Sequence, residues 1–332
     1  AAGMLKAELE LLGSRLLAFA HESSVPAGGA LAVDREQFAS LVTDALVGAG
    51  VVRIEAEVVG IDPSGALIIE DAHHEESHIL EDPAPFCIIA TGPLTSPGFA
   101  ESLRTLTGED HLSFYDAAAP IVYADSLDHD VVFGQSRYEE GAGDYLNAPF
   151  NKEEYEAFAQ ELIDARCVIK KEFETGDLFQ ACQPIEEIAR KGFDAPRFGP
   201  LKPVGLVDPR TQKRPWAVVQ LRAEGRDKQC YNLVGFQTNL AFPEQERVFR
   251  MIPGLEQAQF ARYGVMHRNT FINAPALLNH HLELQSAASR ALPVRLYVAG
   301  QLSGTEGYVE AIASGLLASL SVRAAARGIE LD

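Results

Sequence analysis

A chain of 332 residues, 47% hydrophobic and 23% charged, can bury a full core and has room for two domains, so disorder is not its default state. Acidic residues number 47 against 28 basic ones, and the resulting formal charge of -19 is the wrong sign for gripping nucleic acid with the whole surface. Cys87, Cys167, Cys182 and Cys230 are widely spaced and form no CxxC pair, which argues against a zinc site and against a disulfide scaffold.

The segment MLKAELELLGSRLLAFAHESS has apolar residues at helical spacing, so the chain begins inside a helix. A glycine loop follows in VPAGGALAV, then a second helix with Asp34 as its N-cap and Gly48 or Gly50 as its stop. VVRIEAEVVGI and GALIIED read as strands separated by the turn DPSG. The loop beyond them carries His73, His74 and His78, but with no supporting cysteine it predicts no metal site. PFCIIATGPLTSPG is an apolar strand ending in Thr91-Gly92-Pro93, where backbone can approach a ligand closely. From about Leu112 the texture changes to short strands, frequent Pro and Gly, and one polar helix, NKEEYEAFAQELIDA. The buried-strand pattern returns in PVRLYVAG at 293 to 300, followed by a helix of small residues, GYVEAIASGLLASLSVRAAA. Apolar runs such as CIIA and RLYVAG are interrupted well short of a membrane span, and no signal-like segment opens the chain; the expectation is a cytoplasmic protein with no membrane partner.

Residues 297 to 315, YVAGQLSGTEGYVEAIASG, place a strand, a loop with Gly300, Gly304 and Gly307, and a helix N-terminus in succession. Free backbone N–H groups and the helix dipole then point at one spot, which suits a negatively charged ligand. Candidates for a basic patch are Arg210, Lys213 and Arg214 in DPRTQKRPW, and Arg262, His267 and Arg268 in ARYGVMHRN.

The blocks SVPAGGALAVDR, CIIATGPLTS, FYDAAAPIV, GPLKPVGL, YGVMHRNTFINAP and AGQLSGTEGYVEAIASG together resemble the TrmFO family. Its members are methylenetetrahydrofolate-dependent, flavin-containing tRNA (uracil-5-)-methyltransferases related to GidA-type tRNA-modifying flavoproteins. The resemblance runs through almost the whole chain. Two family features are absent: the opening strand with a GxGxxG turn for the ADP half of FAD, and the loop with a cysteine in a CSNS-type motif. The GxG triplets Gly48-Ala49-Gly50 and Gly141-Ala142-Gly143 lack the last glycine. Family members also continue past AARGIELD, so the chain reads as part of a longer family polypeptide.

The resemblance implies an α/β fold: an FAD-binding, Rossmann-like, GidA-related domain from 1–111 and 286–332, N-terminally incomplete, with an inserted α+β domain at 112–285. It implies that FAD lies against Gly28, Gly29, Ala90, Thr91, Gly92, Gly300, Gln301, Gly304, Gly307, Tyr308 and Val309, with Tyr308 stacking on the isoalloxazine face. His267 is the expected pterin-stacking residue for the folate and Arg268 a folate or phosphate contact. C5 of uracil is a poor nucleophile until something adds at C6, and Cys182 matches the family's downstream functional cysteine for that task. Methylenetetrahydrofolate as carbon donor, NADPH or NADH as reductant and tRNA as partner complete the expectation, with no DNA partner. Glu186, Glu187 and Glu310 are each able to take the C5 proton, and the sequence does not rank them. A ribosomal RNA uridine as substrate, a GidA-type wobble-uridine modification and a non-catalytic fragment remain open alternatives.

Overall fold

A computed structural model describes residues 2–27, 30–70, 77–79, 84–109, 112–137, 143–168, 183–225 and 227–329. The chain packs as two compact units: Ala1–Phe19 with Leu41–Phe114 and Arg268–Asp332, and Ala20–Ser40 with Tyr115–His267. Residues 20–40 join the inserted unit, where the Tyr145 hydroxyl donates to the Ala27 carbonyl at 3.3 Å. Residues 268–285 join the outer one, where the Thr270 N–H donates to Pro93 O at 2.8 Å and the Ile272 N–H to Leu302 O at 2.9 Å.

The outer unit is organised on two parallel strands, Phe86–Ile89 and Arg295–Val298, in register from Arg295 opposite Phe86 to Val298 opposite Ile89. The strand Arg295–Val298 buries Leu296, Tyr297 and Val298, whereas in Phe86–Ile89 only Ile89 is fully buried. The helix Pro97–Thr107 begins at Ser96, whose hydroxyl accepts from the Phe99 N–H, and stops at Gly108 in a left-handed conformation with φ 71°. Its buried Phe99, Leu103 and Leu106 join Ile89, Leu296, Val298 and Leu302 in one core. A separate antiparallel meander, Glu57–Ile61, Leu67–Glu70 and Ser77–Ile79, lies in the same unit.

The helix Tyr308–Arg327 is 20 residues long and apolar enough, by length and composition, to pass for a membrane span. Sequence inspection expected no such run. The helix buries one face of small residues, Ser314, Ala318, Ser321 and Ala324, as close helix packing within this unit requires.

The inserted unit is a six-stranded antiparallel sheet in the order 260–262, 121–123, 230–233, 217–224, 145–150, 133–134. The helix Lys152–Asp164 opens with a reciprocal capping box between Asn151 and Glu154. It buries Tyr155, Phe158, Ala159 and Leu162, a spacing of three, four and seven that defines one face.

The strand expected at 51–61 forms only from Glu57 to Ile61. Among the described residues no strand pairs with 51–56, and Val51, Val52 and Ile54 are 53%, 82% and 54% exposed. Met4, Leu11, Leu12, Leu46 and Val47 are also exposed in this unit, and Ile88 of the parallel pair is 40% exposed. Apolar surface of this kind drives association. The purified chain is expected to elute as concentration-dependent oligomers by size-exclusion chromatography with light scattering. Val52→Lys with Ile54→Lys should shift it towards monomer while changing stability by less than about 1 kcal/mol, since exposed positions contribute little to folding.

Candidate functional site

Parallel pairing has a direct consequence for the loops that leave the two strands. Both strands end at the same edge, and the Ala299 N–H donates to Ile89 O at 3.0 Å, so Ala90-Thr91-Gly92 and the loop from Gly300 start side by side. Ligands of open α/β sheets bind at this carboxyl edge. Gly92 at φ 74° and Gly300 at φ 72° adopt backbone that other residues reach only with strain, and a Cβ on either would meet open space. Their requirement is conformational, and the room beside them is available to a ligand.

The loop is held from within. The Ser314 hydroxyl accepts from the Gly300 N–H at 2.8 Å, and Ser303 and Thr305 hydroxyls donate to Gly300 O at 2.8 and 2.9 Å. The Gly304 N–H donates to the Gln301 carbonyl at 2.9 Å. Two of the glycine N–H groups expected to face an anion are therefore already satisfied. The N–H groups that remain belong to the first turn of the helix Tyr308–Arg327, whose N-cap Gly307 offers no side-chain cap. Tyr308 stands at that turn with 89% of its surface exposed. On the opposite strand the Thr95 hydroxyl donates to Gly92 O at 2.8 Å and shares a 2.7 Å hydrogen bond with Thr91. Phe271 and the Ile272 carbonyl lie against Gly304.

His267 is exposed and Arg268 follows it on the strand Met266–Phe271. Gln245, which sequence reasoning missed, holds the preceding turn: its side-chain amide donates to Leu240 O and Gly264 O at 2.7 and 2.8 Å and accepts from the Gly264 N–H at 2.8 Å. A Cβ at Gly264 would lie 2.7 Å from Ala118 O and collide with Thr238, so only glycine fits there. A glutamine within PEQERVF carries no signal of such burial.

Cys182, Gly28 and Gly29 lie outside the described residues, as do His73 and His74. Burial pushes the Cys87, Cys167 and Cys230 thiols up from the ordinary cysteine range, which disfavours the thiolate form. Cys167 does receive two N–H groups from Arg190, at 3.5 and 3.4 Å, but burial outweighs them. Among the described residues no cluster of His, Cys, Asp and Glu could hold a metal ion.

A family model described as glucose inhibited division protein A matches residues 1–330. The chain belongs to the GidA family. Within the family it is 50% identical over 330 residues to a curated protein of Desulforudis audaxviator named methylenetetrahydrofolate--tRNA-(uracil-5-)-methyltransferase TrmFO, covering 99% of this chain and 70% of that protein. It is 49% identical to the protein of the same name from Heliobacterium modesticaldum, covering 99% of this chain and 69% of that one. Two crystal forms of Aquifex aeolicus GidA share the fold at 17% identity, with TM-scores of 0.59 and 0.61. Each covers 90% of this chain, which spans about half of the GidA chain, 49% and 51%.

The three carboxylates able to act as a base fall in different settings. Glu187 is ion-paired to Arg190, and Glu310 lies in the first helical turn beside Gly307. Glu186 is fully buried in the inserted unit. Its carboxyl accepts from the Asn239 N–H at 2.6 Å and the Thr238 hydroxyl at 3.0 Å. Burial pushes it up to about 7, although those two hydrogen bonds and Arg190 act in the opposite direction. A carboxyl raised in the folded state favours folding below its unfolded value near 4.5, and that advantage is lost as pH rises through about 7. The change is worth roughly 2 to 4 kcal/mol. Glu186→Gln, whose amide oxygen can accept from Asn239 while its NH2 donates to Thr238, should flatten the fall in Tm between pH 5 and 8 that wild type shows in calorimetry.

Proposed function

We propose that this chain forms the cofactor-handling and substrate-handling core of an enzyme that methylates C5 of uracil in RNA, with uridine 54 of the tRNA T-loop as the target. The observation that carries the reading is the parallel pair 86–89 and 295–298, whose ends start Ala90–Gly92 and the loop from Gly300 at one sheet edge. The 50% identity to a protein named TrmFO supports the chemistry.

The residues present fit an FAD ring system. Gly92 and Gly300 leave open space beside backbone, Tyr308 presents an exposed aromatic side chain, and the helix 308–327 has no side-chain cap at Gly307, where the Glu310 carboxylate lies close by. When bound, the flavin would supply reducing electrons, drawn from NADPH or NADH, and carry the one-carbon unit of methylenetetrahydrofolate. Tyr308 would pack against the ring, and the helix N-terminus would favour negative charge next to it. Gln301 and Val309 belong to the same loop and first helical turn. His267 stacks on the pterin and Arg268 binds a carboxylate or phosphate of the folate. The Cys182 thiolate would add to C6 of uracil, which makes C5 nucleophilic; after C5 takes up the methylene unit and a base removes its proton, the C6–S bond breaks, the thiolate leaves, and a hydride from the bound reductant converts the exocyclic methylene to methyl. In this reading the outer unit holds the flavin, the inserted unit takes the RNA, and the enzyme works in the cytoplasm.

Visible absorbance of the chain after incubation with FAD and desalting tests the cradle. Wild type is expected to keep a flavin band, and Tyr308→Ala to lose at least about two thirds of it at unchanged Tm, because an 89% exposed side chain contributes little to folding. A wild type that holds no flavin under these conditions would contradict the cradle. Incorporation of labelled methyl into tRNA, supplied with methylenetetrahydrofolate and a nicotinamide reductant, tests the chemistry. Cys182→Ala is expected to reduce it by more than about a hundredfold, and mass added at a wobble uridine instead of the T-loop would move the assignment to a GidA-type modification.

A further inference from the structure

We propose that the basic and aromatic face around Trp216 is where this chain grips an RNA strand, an inference that rests on the RNA-methylating reading above and deepens it by locating the polyanion contact. Trp216 immediately precedes the strand Ala217–Glu224, and its backbone N–H donates to Phe150 O at 2.9 Å. The Arg197 guanidinium lies over the indole at 3.6 Å from the ring centroid and 5.2 Å from that of Phe198. Its Nε donates to Trp216 O at 2.9 Å. These contacts hold the guanidinium between aromatic rings, and among the described residues its two terminal nitrogens have no protein partner.

The neighbouring groups extend the same chemistry. Lys152 Nζ lies 5.7 Å from the Trp216 centroid and shares its charge with Glu156 at 3.7 Å. Lys213 and Arg214, just before Trp216, are exposed and have no ion pair among the described residues. Phe198 is 74% exposed. Of the nearby acids, Asp208 binds Arg210 at 2.9 Å and Glu154 completes the capping box of the helix Lys152–Asp164, while Asp194 and Glu153 are exposed. Elsewhere Arg104, Arg190, Arg247 and Arg295 are each paired with carboxylates.

Unpaired cations beside an exposed ring suit a nucleic acid strand, because phosphates take the cations while a splayed base stacks on the ring. A flat guanidinium with free terminal nitrogens matches phosphate oxygens in pairs. On a chain of charge -19 the remaining surface repels RNA, so binding concentrates where cations are free.

Fluorescence anisotropy with labelled tRNA transcript, titrated from about 50 to about 200 mM salt, tests the face. Lys213→Glu with Arg214→Glu should weaken binding at least tenfold and lower the slope of log K against log salt by about 2, one for each lost phosphate contact. Phe198→Ala should weaken it about fivefold or more with the slope unchanged, as loss of a stacked base predicts. Lys6→Glu with Arg323→Glu, an equal charge change in the other unit, should cost less than threefold, and circular dichroism should give all variants the wild-type Tm. Wild-type binding that survives the 213/214 reversal, or falls equally in the control, overturns the surface alone. Sensitivity to 213/214 with no effect of Phe198→Ala and ready displacement by polyglutamate overturns RNA as the occupant in favour of an acidic protein. A wild type that binds no tRNA removes the RNA reading together with this surface.

Discussion

The parallel ladder between Phe86–Ile89 and Arg295–Val298 is the constraint on which the outer unit depends. Two parallel strands cannot be joined by a tight turn, so the intervening chain must leave and return. The whole inserted sheet lies within that excursion. The ladder aligns two strand ends and thereby two loops, and the outer flank of 295–298 is closed by backbone: the Leu284 N–H donates to Leu296 O at 2.8 Å and the Val298 N–H to Leu282 O at 2.9 Å. On the same side the Arg295 guanidinium holds the Glu283 carboxyl below the usual carboxylate range. A strand held on both sides has little freedom to slip, which keeps the Gly300 loop at a defined height against Ala90.

In the inserted unit the corresponding anchor is the segment 237–241. The Ile185 N–H donates to Gln237 O at 2.7 Å, the Val168 N–H to Asn239 O at 2.8 Å, and Glu186 accepts from Thr238 and Asn239. Arg190 adds hydrogen bonds to the Ile163 and Ala165 carbonyls, which are otherwise orphaned at the end of the helix Lys152–Asp164. Chain segments ending at Val168 and resuming at Gln183 are thus tied to one turn. A buried carboxyl is an expensive way to make such a tie, because desolvation opposes its charge. The raised titration of Glu186 is the visible sign of that cost, and it makes the tie sensitive to pH near neutrality.

Charge is distributed unevenly over this architecture. Most arginines near carboxylates are neutralised locally, which leaves the cations around Trp216 conspicuous on an acidic chain. Their value for binding comes from preorganisation: a guanidinium already stacked on an indole loses less freedom on meeting a phosphate than a free side chain does. The outer unit shows the opposite surface, with Val52, Ile54 and Ile88 exposed.

Much of the architecture was legible in order along the chain. The small-residue helix after Gly307, the capped helix from Lys152, the Asp34 N-cap, which accepts from the Gln37 N–H at 3.0 Å, and the apolar strands before Gly92 and Gly300 all follow from local periodicity and turn chemistry. These features depend on neighbours three or four residues away, and such neighbours are written in the sequence itself. The family blocks likewise identified the chemistry before any geometry was known. What local pattern could not supply was partnership over distance. It predicted a strand from Val51 that does not form before Glu57, because a strand needs a pairing edge as well as apolar residues. It did not single out Gln245, it could not rank the buried Glu186 against Glu187 and Glu310, and it assigned the Gly300 N–H to a ligand when Ser314 already takes it. Only the tertiary structure brings Thr238 to Glu186 and Arg197 to Trp216, because those contacts join residues 52 and 19 positions apart whose proximity is set by the packing of whole elements.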